Sequence, residues 1–128
     1  MSVRHFYLIV LAAALGCATT GRSSGSMGSG NVILEQELAA SNVSNAYEAV
    51  ERLRPNFLRS RGPSSLRTDV TSLPNVYVGR QKYGDAATLR QIPINTVSMI
   101  RFYTASEAAL RFGMDNANGV IEVTLKSS

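Results

Sequence analysis

Most side-chain catalysis near neutral pH draws on histidine or cysteine, and this chain of 128 residues holds one of each, His5 and Cys17. If the first 16 residues are removed, as argued below, the remainder has no imidazole and its single thiol stands at its first position. Ser-His-Asp and Cys-His catalysis then lack their base, and zinc sites of His and Cys lack their ligands. One cysteine makes no disulfide within the chain. Carboxylates, Lys, Arg, Tyr and hydroxyls remain, but the acid pairs Glu35/Glu37 and Asp115/Glu122 show no spacing that demands general acid–base work. Gly21-Arg22-Ser23-Ser24-Gly25 matches G-x-S-x-G. A nucleophile elbow needs a strand, a turn, a helix and a histidine partner, none of which this stretch offers. The expectation is a non-enzyme with no cofactor and no metal.

Two groups of side chains are candidates for binding. Arg52, Arg54, Arg59, Arg61 and Arg67 place five arginines within 16 residues, with Asp69 the first acid after Glu51. Arginine pairs bidentately with phosphate and carboxylate oxygens, so this run could meet anionic lipid headgroups, phosphates or an acidic partner. The plainer alternative is a solvated loop beside Glu48 and Glu51. Tyr77, Arg80, Lys82 and Tyr83 surround Gly79 and form a smaller polar-aromatic cluster, either a recognition loop or an ordinary exposed hairpin. Nucleic acid is not an expected partner. Without residues 1–16 the chain has 12 basic and nine acidic side chains, a formal charge of only +3, and it carries no readable nucleic-acid motif.

The elements that must present these residues begin after a targeting segment. Arg4 and His5 precede an apolar run from Phe6 to Leu15, closed by Gly16 and Cys17. A basic start, a short apolar stretch and small residues before a cleavage point make a secretory signal peptide over residues 1–16. About ten apolar residues are too few for a membrane-spanning helix, which takes roughly 20. Ala14-Leu15-Gly16-Cys17 resembles the lipobox of bacterial lipoproteins, although Ala14 and Leu15 hold the usual leucine and small-residue places in swapped character. That resemblance implies lipidation of Cys17, attachment to a membrane through the lipid, and, with Ala18 following, a periplasm-facing position on the outer membrane. Residues 17–30 supply a Gly/Ser-rich tether, Thr19 to Gly30, of the composition of a flexible coil.

Residues 31–128 make one small domain. Val32-Ile33-Leu34 is a β-prone run. Ser44 is placed to cap a helix from Asn45 to Arg54 whose Ala46, Val50 and Leu53 recur at helical spacing, and Pro55 ends it. Phe57-Leu58 begins a short strand that Gly62-Pro63-Ser64-Ser65 breaks with an exposed loop. Val76-Tyr77-Val78 is a strand ended by Gly79, and Asp85 caps a short helix to Gln91. In Val97–Tyr103, Ile100 and Phe102 are expected to face inward, Arg101 and Tyr103 outward. Ser106 caps a helix from Glu107 to Phe112 that stops at Gly113. From Val120 to Lys126 the alternation predicts Ile121, Val123 and Leu125 buried, Glu122, Thr124 and Lys126 wet. Short strands mixed with short helices give an α+β domain.

The order of these segments resembles the plug domain of TonB-dependent outer-membrane receptors. Tyr77-Val78-Gly79 stands where that family has "VYVDG", Leu89-Arg90-Gln91-Ile92-Pro93 where it has "L-x-x-I-P", and Val97 to Phe102 where it has "I-E-S-I-E-V". Ala105 to Gly113 stands in the turn-helix that follows. Ala117-Asn118-Gly119-Val120-Ile121-Glu122-Val123-Thr124-Leu125-Lys126 matches "A-N-G-V-I-x-I-x-T-K" and is the most specific piece. Val32-Ile33, Glu37-Leu38 and Asn45 to Leu53 fit the first half, so the likeness spans about Asn31 to Lys126. It departs at Val78-Gly79, where the aspartate is missing, and at Thr104-Ala105, which replaces Gly-Pro. The resemblance implies a plug-like α+β fold in which these motifs specify turns and packing. With no barrel segments after the domain and no energy-coupling box before Asn31, the expected role is protein interaction or envelope assembly, docking to an outer-membrane barrel or transport complex. The alternative is a periplasmic module that captures a small anionic or siderophore-like ligand.

Overall fold

Five strands carry the architecture seen in a computed structural model, which describes residues 30–59 and 73–127. They are β1 (Val32–Leu34), β2 (Asn75–Val78), β3 (Gln81–Asp85), β4 (Val97–Tyr103) and β5 (Val120–Leu125). Helices α1 (Glu35–Ala40), α2 (Ala46–Leu53) and α3 (Ala105–Phe112) lie between them, with 3-10 turns at Pro55–Leu58, Ala86–Gln91 and Ile94–Thr96. The strands form one mixed sheet in the order β1-β4-β5-β2-β3. Only β5 and β2 run parallel; every other pair is antiparallel. This is a small α+β fold, as the alternation of short elements predicts. The leader, Cys17, most of the tether, Arg61, Arg67 and the expected loop at Gly62-Pro63-Ser64-Ser65 lie outside the described residues.

One sheet face holds the apolar core. Ile33, Val76, Ile100, Phe102, Ile121 and Val123 are buried there against Leu38 of α1, Ala46, Ala49 and Val50 of α2, and Phe57 and Leu89 of the 3-10 turns. Phe57 and Phe102 stack with ring centroids 5.2 Å apart. Burying side chains of this size contributes roughly 1.5–3 kcal/mol each. In β4 a register shift against β5 between Val97 and Met99 makes Ser98 the extra residue. Val97 and Ile100, an odd number of positions apart, thereby share the core face.

Local signals explain the elements and correct several expectations. Asn45, not Ser44, caps α2: its Oδ1 accepts the Glu48 N–H at 3.0 Å, and Glu48 Oε2 accepts the Ser44 N–H at 3.0 Å. Pro55 ends α2 but also opens the 3-10 turn, so Phe57 reaches the core from a turn and not from a strand. Thr104, not Ser106, caps α3. It forms a reciprocal box in which Glu107 Oε2 accepts the Thr104 N–H at 2.9 Å, the T-x-x-E signature of a helix start. Helix α1 and strand β3 were not among the expected elements. Asp85 does cap the turn after β3, accepting the Ala87 N–H at 3.0 Å.

The opposite sheet face is not wet where β4 and β5 cross under α3. Tyr103, expected to point outward, is buried together with Tyr77, Val120 and Ala108, and Phe112 packs against them. Glu122, also expected to be wet, is only 6% exposed. Leu125, by contrast, is 45% exposed at the end of β5. Gly119 makes the approach to β5 possible. Its φ is +87°, and a Cβ there would stand 2.6 Å from the Tyr103 carbonyl oxygen and 2.9 Å from the Phe102 ring. Buried Asn116 fixes this loop, donating to the Gly113 carbonyl at 2.9 Å and accepting from Asn75 Nδ2 at 2.9 Å.

Candidate functional site

The β2–β3 hairpin and the segment after it frame a groove of about 480 Å3. Gly79, with φ +62°, takes the first of the two turn positions, the place a type II′ hairpin reserves for glycine, and Arg80 takes the second. Pairing then runs Val78 with Gln81 and Tyr77 with Lys82, but Val76 with Gly84. Tyr83 is therefore the extra residue of a bulge, a feature that bends a strand and re-aims a side chain. Tyr83 is 48% exposed and stands on the groove wall with Val78, Ile92, Pro93 and Leu125. Gln81, Gln91 and Thr96 add neutral polar groups, and Lys82 adds the one charge.

The opposite wall is held from outside. The Ala46 N–H donates to the Ile92 carbonyl at 2.9 Å and the Ile94 N–H to the Ser44 carbonyl at 3.1 Å. The Lys126 N–H donates to the Thr96 carbonyl at 2.8 Å. The start of α2 and the end of β5 thus pin the stretch that carries Ile92, Pro93 and Thr96. The groove has a strand edge on one side and a bonded turn on the other.

Electrostatically the rim is cationic. Among the described residues neither Arg80 nor Lys82 forms an ion pair, a side-chain hydrogen bond or a ring contact. The nearest acid in sequence, Asp85, is engaged as a cap. Arg90 lies over the Tyr47 ring, 4.0 Å from its centroid.

Of the residues singled out in the sequence, Lys82 and Tyr83 fall together at this groove, with Arg80 in the turn beside it. Tyr77 does not join them; it is turned to the α3 side of the sheet, 4.5 Å from the Phe112 ring centroid. The arginine run divides. Arg54 pairs with Glu37 at 2.9 Å and donates to the Leu53 carbonyl at 2.9 Å, tying α2 to α1. Arg52 donates to the Ser41 carbonyl. Both guanidiniums bind the fold itself, whereas Arg59 is exposed.

A second polar cluster, which sequence reasoning missed, lies under α3. The Tyr103 hydroxyl donates to Glu122 Oε2 at 2.7 Å, and Arg111 of α3 reaches Glu122 Oε1 at 3.3 Å. Arg101 and Arg111 both lie over the Tyr103 ring, at 4.8 and 5.3 Å. Burial, then the hydrogen bond to Glu122 and its charge, push the Tyr103 hydroxyl above its ordinary pKa. On the same helix, the Thr104 backbone N–H and then its hydroxyl hold the exposed Glu107 carboxyl below the usual range. The signal for this cluster is the pairing of β4 with β5, which sets Tyr103 and Glu122 on one face but is invisible to a single-strand pattern. No buried polar side-chain atom in it lacks a partner and it does not open onto the groove, so it fastens α3 to the sheet.

Among the described residues no group of three His, Cys, Asp or Glu could hold a metal ion, and no helix is long and apolar enough to cross a membrane. No family model matches this chain, and no curated protein and no solved structure matches it either.

Proposed function

We propose that this chain is a lipid-anchored envelope protein whose plug-like domain holds a protein partner at the periplasmic face of the outer membrane, without catalysing a reaction. The observation that carries the interaction reading is the groove beside β3. It holds Lys82, a cation with no partner among the described residues, an exposed tyrosine re-aimed by a bulge, and apolar walls, with Arg80 in the adjoining turn. Side chains that stabilise nothing in their own domain are available to a partner. The anchor reading draws on the leader and Cys17, and the plug-like reading on the motif order that ends in Asn118-Gly119-Val120.

Purification of the full chain from detergent-solubilised envelopes tests this. A defined protein is expected to co-purify in fixed ratio, and recovery of none overturns the interaction reading. Labelled palmitate should enter the chain and should be absent from Cys17→Ser; equal labelling of both, or of neither, overturns the anchor. A second reading, capture of a small anionic ligand, draws on Lys82 as the groove's one charge. It predicts a ligand-dependent rise in Tm.

A further inference from the structure

We propose that β3 accepts an extended segment of the partner as an added strand, one that seats an apolar side chain in the groove and a carboxylate beside Lys82 and Arg80. This rests on the protein-interaction reading above and names the chemistry of what is bound.

Three observations point the same way. First, β3 is an edge: it is bonded to β2 alone, so one row of its N–H and C=O groups faces away from the sheet. The other edge, β1, is three residues long and runs directly into α1, which leaves little backbone to pair. Strand β3 has five residues. Second, the groove reaches that edge through Gln81, Lys82 and Tyr83 and crosses the end of the sheet to Val78 of β2 and Leu125 of β5; Tyr83, 48% exposed, is its aromatic side chain on β3 itself. Alternate side chains of an added strand point to one face, so those on the groove side would stand beside Tyr83. Third, Lys82 on the edge and Arg80 in its turn have no partner among the described residues, while Asp85, the acid of β3, is engaged as a cap at the strand's far end; a carboxylate on the incoming strand is favoured beside the turn.

The same features disfavour a second copy of this chain. A lysine and a bulge on an edge strand are the usual means by which a sheet avoids pairing with itself. Rejecting like charge while admitting a carboxylate gives specificity through repulsion. A free small anion would use Lys82 but leave the edge backbone and the apolar wall idle. An added strand uses all three, in the manner of known β-strand addition.

The test is selection of nine-residue peptides from a random display library on the full chain and on Lys82→Glu. Sequences with a carboxylate close to an apolar residue are expected on the parent, and basic ones on the variant. The best parental peptide should bind Lys82→Glu about tenfold or more weakly. Methylation of alternate backbone nitrogens of that peptide should abolish binding, and amide exchange at Lys82 to Gly84 should slow when it binds. Enrichment without a charge preference, equal binding to both proteins, or full binding by the methylated peptide overturns the proposal. If no peptide is enriched while a partner still co-purifies from envelopes, strand addition fails and the interaction reading stands. If peptides behave as expected but envelopes yield no partner, the edge chemistry holds and the cellular reading fails. Lys82 is exposed, so an unchanged circular dichroism spectrum shows that the variant folds.

Discussion

Under α1 and α2 the sheet buries an unbroken apolar layer, whereas under α3 it buries two tyrosines, a glutamate and a valine. The two faces are stabilised differently. The first gains from area removed from water and stacked rings, which is large and undirected. The second gains from a short chain of directed contacts, Arg111 to Glu122 to Tyr103, with Phe112 edge-on to Tyr103 at 5.4 Å. A face held by area tolerates changes in shape poorly, and a face held by directed bonds tolerates loss of a partner poorly. The buried side chains of both faces are committed to the fold, whereas Lys82 and Tyr83 at the β3 edge are not.

The largest expected effect is on the apolar face. Phe102→Ala should cost about 3–5 kcal/mol in chemical denaturation, because Phe102 is buried and stacked on Phe57. Phe112→Ala, on the half-buried α3 face, should cost roughly 1–3 kcal/mol; equal losses would erase the difference between the faces. Gly119→Ala should cost about 2–4 kcal/mol, since it meets both a positive φ and the Tyr103 carbonyl.

Smaller effects probe the directed bonds. Tyr103→Phe keeps the ring and removes the hydroxyl donor, for about 1–2 kcal/mol. It also changes the response to alkali. The folded state holds the Tyr103 proton more tightly than the unfolded chain does, so this contribution is complete below about pH 10 and is lost as pH rises through the higher folded value. Tyr103→Phe should flatten that alkaline fall, and an unchanged pH profile would remove the hydroxyl from the account. Glu107 has the opposite sign. Its depressed carboxyl contributes above the ordinary carboxylate range, and that contribution is lost as pH falls through its lower folded value. Glu107→Gln should remove this part of the acid dependence. Lys82→Glu is the smallest: within about 0.5 kcal/mol of the parent.

The same division decides what was legible in the sequence. The apolar face announces itself, because Ile100 and Phe102, Ile121 and Val123 alternate with polar residues at period two. Tyr103 and Glu122 read as solvent-facing by that same alternation. Only the β4–β5 register, together with a helix folded back over it, buries them, and both are long-range facts. The cap of α3 was legible as Thr104 with Glu107, yet Ser106 offered a competing hydroxyl two residues on. Strand β3 was hidden by its polar Gln-Lys-Tyr-Gly-Asp composition, since an edge strand with one face in water needs little apolar character. Arg80, Lys82 and Tyr83 were legible as a cluster from the Gly79 turn. Tyr77 was misplaced with them because one position along a strand reverses the face. The arginine run counted charge but could not show that Arg52 and Arg54 are spent on Ser41 and Glu37.

The most direct test is the amount of partner recovered from solubilised envelopes by the full chain and by the double variant Arg80→Glu, Lys82→Glu, each measured beside its Tm. A partner recovered with the parent and lost with the variant at unchanged Tm is the predicted result. Equal recovery by both chains, or none by either, would contradict it.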